Sequence, residues 1–290
     1  MITRRPLITR FAPSPNGYLH LGHAYAAMVA HGAARGSWGR FFLRIEDLDL
    51  SRCRPEYEQA IFEDLAWLGL SWERIVLRQS QRFAIYAEAL GALKSKGLLY
   101  PCFCTRRDIA REIERSGVAP HLLHGPEGPL YPGTCRHLSE AERTDRMAAG
   151  GAYALRIDMA RAIRVAGPLT WYDEIAGEQE AHPERLGDVV LARKDVPVSY
   201  HLAVVVDDAT QGISLVTRGR DLFEATHVHR LLQKLLWLPT PSYRHHALVV
   251  DAGGTRLAKS AASTPIRELR DQGFSPDEVR EMALAGVETV

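Results

Sequence analysis

Apolar positions alternate between short runs and helical spacing through the first hundred residues. Leu7–Ala12 predicts a buried strand, and the alanine-rich stretch His20–Ala34 predicts a helix stopped near Gly36. Arg40–Ile45, rich in Phe and Leu, predicts a second strand. Tyr57–Leu68 places Ile61, Leu65 and Leu68 on one helical face, with Pro55 where a first turn belongs. Ile75–Leu77 is a short strand, and Arg82–Lys94 is an amphipathic helix closed by Gly97. The order β-α-β-α-β-α predicts an α/β fold with a parallel, doubly wound sheet.

The rhythm then breaks. Tyr100–His137 carries three cysteines, five prolines and little periodicity beyond Asp108–Arg115, and it is expected to be an insertion. Ser139 and Glu142 have the spacing of a capping box at the start of a helix, Ser139–Met147. Tyr153–Asp158 and Ala162–Val165 are expected as strands that could pair with each other. Val189–Ala192 is a strand leading into a continuous apolar run, Tyr200–Val206, closed by Asp207-Asp208. A core strand, Ile213–Thr217, precedes a long helix, Leu222–Trp237, stopped by Pro239. Ala247–Val250 is the last expected strand, Asp251–Gly254 a turn, and Pro265–Asp271 and Pro276–Leu284 two closing helices.

Composition narrows the function classes. With 290 residues and 46% hydrophobic content the chain can fill a core. It has no apolar run near the roughly 20 residues of a membrane span and no signal-peptide core, so a soluble, cytoplasmic protein is expected. Thirty-six basic residues face 35 acidic ones, so any RNA partner must meet a local basic face and not a global field. Lysine is scarce (Lys94, Lys96, Lys194, Lys234 and Lys259), which makes a lysine inside a motif conspicuous. Four cysteines, three of them clustered, do not suggest a disulfide framework.

The stretch Leu7–His23, LITRFAPSPNGYLHLGH, passes from a strand through Pro13, Pro15 and Gly17 into a helix. Such a turn presents N–H groups to an anion, and His20 and His23, three residues apart, can donate to the same phosphate. Gly22 leaves room for a flat ring to stack on the backbone. His20-Leu21-Gly22-His23 resembles the HIGH signature of class I aminoacyl-tRNA synthetases, and Arg10-Phe11-Ala12-Pro13-Ser14-Pro15 resembles their glutamyl/glutaminyl branch. Arg256-Leu257-Ala258-Lys259-Ser260 resembles the KMSKS loop of the same class, with its first lysine replaced by Arg and its first serine by Ala. Lys259, a mobile point charge, suits the β- and γ-phosphates.

The resemblance implies a catalytic role for His20, His23 and Lys259 and ATP contacts from His20, Gly22, His23 and Lys259, with Mg²⁺ accompanying the nucleotide. It implies an L-glutamate pocket built from Arg10, Ala12, Ser14, Glu46, Tyr200 and Arg218. Glu46, at the end of the second strand, would hold the substrate ammonium. Arg10 and Arg218, at the ends of two strands, would converge on its side-chain carboxylate. The family's asparagine four residues after the pocket tyrosine is Val204 here, which implies a leaner pocket.

Cys102, Cys104 and Cys135 in one irregular segment suggest a structural Zn²⁺ site. By the common Cys₃His pattern the fourth ligand is His137, with His121 and His124 more remote candidates. The resemblance to small glutamyl-synthetase-like proteins implies Tyr131 instead, with matching Tyr-x-x-x-Cys spacing. The chain accordingly divides into a first catalytic half (1–99), a zinc-bearing, acceptor-like insertion (100–185), a second catalytic half (186–250), and the KMSKS-like loop with C-terminal helices (251–290).

Only residues 261–290 follow Ser260, whereas full glutamyl-tRNA synthetases continue much further to read an anticodon. The pattern resembles their paralogues, the glutamyl-queuosine tRNA(Asp) synthetases. That resemblance implies tRNA-independent formation of glutamyl-adenylate and transfer of glutamate to the queuosine ring in the anticodon of tRNA(Asp), by a monomer without a membrane partner. Two rivals remain at this level. One is a truncated glutamyl-tRNA(Glu) ligase. The other is a non-catalytic zinc-bearing RNA-binding module, for which Ala258 and Val204 speak.

Overall fold

The computed structural model describes residues 6–115, 124–126, 128–250 and 264–287. The strands, in chain order, are β1 (Ile8–Phe11), β2 (Arg40–Ile45), β3 (Leu77–Arg78), β4 (Leu99–Cys102), the short pair β5 (His124–Gly125) and β6 (Gly128–Pro129), β7 (Ala154–Ile157), β8 (Thr170–Asp173), β9 (Gly177–Glu180), β10 (Val190–Ala192), β11 (Leu215–Gly219) and β12 (Ser242–His246). The helices are α1 (Leu21–Arg35), α2 (Pro55–Trp67), α3 (Phe83–Ser95), α4 (Arg106–Arg115), α5 (Glu140–Ala148), α6 (Met159–Ala166), α7 (Tyr200–Thr210), α8 (Ala225–Leu235), α9 (Ile266–Asp271) and α10 (Pro276–Ala285). None of the described helices is long and apolar enough to cross a membrane.

Strands β1, β2 and β3 form one parallel ladder, while β11, β12 and β8 form another that ends in antiparallel β9. Ser214 N–H donates to the Ile8 carbonyl at 2.9 Å and Ile8 N–H to Ser214 Oγ at 2.8 Å, so the two ladders meet edge to edge. Gly39 makes the first ladder possible: a Cβ there would fall 1.8 Å from the Leu7 carbonyl oxygen, so no side chain fits where β2 begins beside β1. A separate antiparallel sheet runs β10-β7-β4.

Two cores fix these layers. Ala24, Ala27, Ala30 and Ala34 give α1 a face of small side chains that lies close against Phe11, Leu43 and Ile45 of the sheet and against Val279 and Ala283 of α10. Leu90, Ile157, Ala162, Leu191, Leu202, Val205, Val228 and Leu232 join α3, α6, α7 and α8 to the second sheet.

Two strand expectations are corrected. Ala162–Val165 is not a strand but part of α6: Asp158 accepts the Arg161 N–H as an N-cap, and Met159 and Ala162 turn inward. Consequently β7 pairs with β4 and β10 and not with that segment. The last ladder strand is Ser242–His246, not Ala247–Val250; of the latter, Val249 only bridges Val287. The apolar run Tyr200–Val206 is helix α7, whose residues Leu202–Asp208 are all buried, so polar positions mark no solvent face. The capping box of Ser139 and Glu142 is present, with N–H bonds of 2.7 and 3.2 Å.

Candidate active site

Pro13 and Pro15 end β1, and the chain re-enters helix at Leu21 with His20 as N-cap. Here two imidazoles replace the usual Ser and Glu of a capping box. His20 Nδ1 accepts the Gly22 N–H at 3.1 Å, and His23 Nδ1 accepts the His20 N–H at 3.2 Å. Their rings lie 3.9 Å apart. With both Nδ1 atoms accepting, each Nε2 carries the proton and is a donor. The Gly22 N–H is therefore engaged, and it is imidazole edges that front this end of α1. Gly22 serves His20 directly: a Cβ would stand 3.0 Å from the imidazole Cε1.

The C-terminal segment closes on this turn. Ile266 N–H donates to the Leu19 carbonyl at 2.8 Å, Pro265 bridges His20, and Val250 N–H donates to the Gly286 carbonyl. The residues flanking 251–263 are thus anchored beside the two histidines. Lys259 itself lies outside the described residues, as does His121.

Arg218, near the end of β11, is 7% exposed and is held only by neutral groups among the described residues. Its Nε donates to His245 Nε2 at 3.1 Å, its Nη1 to His229 Nδ1 at 3.1 Å and to the Tyr200 hydroxyl at 3.4 Å, and its Nη2 to Thr226 Oγ1. Burial pushes His245 down to about 4, assisted by Arg218 and opposed by Asp173. Burial and Arg218 hold His229 well below the ordinary imidazole range, and burial raises the Tyr200 phenol. All three are uncharged at neutral pH, so the Arg218 cation is hydrogen-bonded to no anion among the described residues.

Arg10 differs. Its Nε contacts Asp208 at 2.9 Å and its Nη1 donates to the carbonyl of Thr217, the residue before Arg218. Asp208 also takes Arg44 Nη1 at 2.7 Å, and Arg44 Nη2 reaches Glu46 at 3.1 Å. Arg10 and Arg218 are therefore neighbours, but Arg10 is paired with Asp208, whereas Arg218 contacts neutral groups among the described residues. Burial raises the Glu46 carboxyl against the pull of Arg44 and Arg10. An ammonium at Glu46 would supply the charge that burial makes the group lack.

Ser14, Glu46, Gln79, Ser199 and Tyr200 line one cleft of about 150 Å³, with Arg193 and Val196 at its side. A larger groove of about 670 Å³, bounded by Leu7, Ser37, Tyr172 and Arg244, contains none of these residues. Ala12 follows the last residue of β1, and Val204 is packed within the α7 core. Sequence reasoning assigns no role to Arg44, Asp208, His229, His245 or Asp173; Asp208 meets Arg10 across 198 positions and Asp173 meets His245 across 72.

The sulfur atoms of Cys102, Cys104 and Cys135 lie within 4.8 Å of one another, and no histidine joins them among the described residues. The Tyr131 hydroxyl stands 3.6 Å from Cys104 Sγ and accepts the Cys135 N–H at 2.7 Å. The Arg156 guanidinium sits 4.1 Å from the Tyr131 ring centroid. Burial pushes the Cys104 thiol up to about 11, while at Cys135 burial is outweighed by hydrogen bonds from Tyr131 and the Phe103 backbone, which lower that thiol.

Comparison with known proteins shows the family. Residues 6–288 match the family described as tRNA synthetases class I (E and Q), catalytic domain. A glutamyl-Q tRNA(Asp) synthetase of Rhodobacter capsulatus is 46% identical over 286 residues, 95% of this chain and 99% of that protein. A glutamate–tRNA ligase of Aquifex aeolicus is 37% identical over 271 residues, where this chain spans 54% of the relative. The crystal structure of a glutamate tRNA ligase from Elizabethkingia meningosepticum in complex with its amino acid superposes with a TM-score of 0.73 at 27% identity, covering 93% of this chain and 54% of that one.

Proposed function

From a chain that belongs to the class I tRNA synthetases of the glutamate and glutamine kind, we propose an ATP-dependent ligase that activates L-glutamate and passes it to the queuosine base of tRNA(Asp). The observation that carries the glutamate reading is the buried Arg218, bonded to no anion among the described residues, donating to the hydroxyl of Tyr200, which lines one cleft together with Glu46. Arg218 takes the side-chain carboxylate and Glu46 takes the ammonium, leaving the α-carboxylate toward the His20–His23 turn. There its oxygen attacks the α-phosphorus of ATP, and the bond to the pyrophosphate oxygen breaks. Nε2 donors of the two histidines, with Lys259 and Mg²⁺, stabilise the charge that develops on the phosphates. A hydroxyl of the acceptor nucleoside then attacks the acyl carbon and AMP departs. Glutamine is rejected because its amide would leave Arg218 without an anion.

The queuosine acceptor is favoured by the 46% identity to the Rhodobacter protein over nearly its whole length. The test is glutamate-dependent ATP–pyrophosphate exchange without RNA, followed by glutamate transfer to queuosine-bearing tRNA(Asp), unmodified tRNA(Asp) and tRNA(Glu). We expect exchange without RNA and transfer only to the queuosine-bearing species. Transfer to tRNA(Glu) would favour a glutamyl-tRNA(Glu) ligase, and absence of exchange would reject the enzyme reading.

Three cysteine sulfurs and the Tyr131 phenol are a donor set suited to tetrahedral zinc, and Tyr131 is favoured over His137 by its contact with Cys104. Bound zinc would hold the thiols as thiolates and tie β4 to the segment around Cys135. Cys102→Ser should remove stoichiometric zinc, measured by atomic emission, and lower the thermal midpoint while glutamate-dependent exchange stays within about threefold of wild type. Unchanged zinc content would mean the ligand set is wrong.

A further inference from the structure

The side chains that hold Arg218 form a chain reaching beyond the glutamate pocket, and its far end is a carboxylate. Asp173, the last residue of β8, accepts the His245 backbone N–H at 3.0 Å and the His245 Nδ1–H at 2.7 Å with the same oxygen. Its other oxygen accepts the N–H groups of Ile175 and Ala176 at 2.9 Å each. Asp173 is wholly buried and its position is over-determined by four donors. A proton held on Nδ1 by Asp173 leaves Nε2 of His245 as an acceptor, which Arg218 Nε meets at 3.1 Å beside the Thr226 hydroxyl, also at 3.1 Å. On the other side His229 Nδ1 accepts from Arg218 Nη1, and His229 Nε2 meets His201 Nδ1 at 3.3 Å. The Arg218 guanidinium is also 5.5 Å from the Tyr243 ring centroid.

We infer that Asp173 and His245 are positioning residues for glutamate recognition: the carboxylate selects the His245 tautomer that clamps Arg218 by Nε, so that a substrate carboxylate meets a pre-aimed guanidinium. Of the five N–H groups of arginine, His245, His229, Tyr200 and Thr226 take four. One Nη2–H and the whole charge are left for the substrate. A carboxylate bonded directly to Arg218 would have neutralised it. Placing the anion one imidazole away orients the cation without doing so. The inference rests on the glutamate reading above and adds the residues that enforce it.

The test is a double-mutant cycle read as glutamate KM, ATP KM and kcat in ATP–pyrophosphate exchange. Asp173→Asn, whose amide can turn an N–H toward His245 Nδ1 and drive the proton to Nε2, should raise glutamate KM about tenfold with ATP KM unchanged. His245→Gln, whose amide oxygen can still accept from Arg218 Nε, should stay close to wild type, while His245→Phe should match or exceed the loss in Asp173→Asn. In the His245→Gln background, Asp173→Asn should add nothing to glutamate KM. A full additional loss in that background would overturn the relay, because Asp173 would then act through its turn alone. ¹⁵N NMR of the imidazole provides a reading independent of activity. A pyridine-like Nε2 and protonated Nδ1 at His245 are expected, and a protonated Nε2 would overturn the inference. Wild-type protein without glutamate-dependent exchange would reject the glutamate reading, and the NMR result would still decide the tautomer.

Discussion

Replacing Arg218 by glutamine is expected to lower kcat/KM for glutamate by roughly 10²–10³-fold in ATP–pyrophosphate exchange, with KM for ATP unchanged. The reason is that Arg218 is a buried cation bonded to no anion among the described residues, whereas Arg10 is paired with Asp208 at 2.9 Å. Removing it leaves the substrate carboxylate desolvated against two neutral imidazoles, a phenol and a hydroxyl. Selectivity should fall with it: glutamine, which an arginine penalises, should approach glutamate in the variant. The folded protein should survive, because the four groups around Arg218 are uncharged and a glutamine amide can still donate to one of them. A variant that keeps wild-type kcat/KM for glutamate would place the substrate carboxylate elsewhere.

Asp208→Asn should have the largest effect on stability, about 3–5 kcal/mol of lost unfolding free energy, read as a lower urea midpoint at unchanged slope. Asp208 holds two guanidinium groups, Arg10 at 2.9 Å and Arg44 at 2.7 Å, and Arg44 is completely buried. The asparagine keeps the shape but leaves two cations sharing the single carboxylate of Glu46. Burial alone would push the Asp208 carboxyl up, but Arg10 and Arg44 overcome it and hold the group below its usual range. Its contribution to stability is therefore present above the unfolded carboxyl range near pH 4 and disappears as pH falls through the lower folded value. The variant should accordingly lose that part of the acid dependence. A midpoint equal to wild type across pH 3–7 would show that the arginines do not need this anion.

Local signals made much of this fold legible. Prolines 13 and 15, the helical spacing of Ile61, Leu65 and Leu68, and the Ser139–Glu142 box are each read within a few residues, and the corresponding elements are present. Errors fell where tertiary burial overrides pattern. Helix α7 is buried around its whole circumference and so shows no helical period, and α6 is short enough for Ile163 and Val165 to read as strand. The candidate site divides similarly. His20, Gly22, Glu46 and the three cysteines carry motif spacing, and the structure brings the cysteines together with Tyr131. The ionic frame does not: Asp208 meets Arg10 across 198 positions and Asp173 meets His245 across 72, separations at which no local pattern exists. The expectation that Arg10 and Arg218 share one substrate anion does not foresee that Arg10 is also paired with Asp208.

The packing of α10 on α1 also has a consequence during synthesis. The alanine face of α1 is completed by Ile266, Leu269, Val279 and Ala283, and the Leu19 carbonyl before His20 waits for the N–H of Ile266. A nascent chain still lacking these residues exposes that face to solvent and leaves the histidine turn unbraced. Nucleotide affinity should therefore arise abruptly, once residues 264–283 join α1. A ribosome-bound fragment stalled before residue 264 should be the species that chaperones engage.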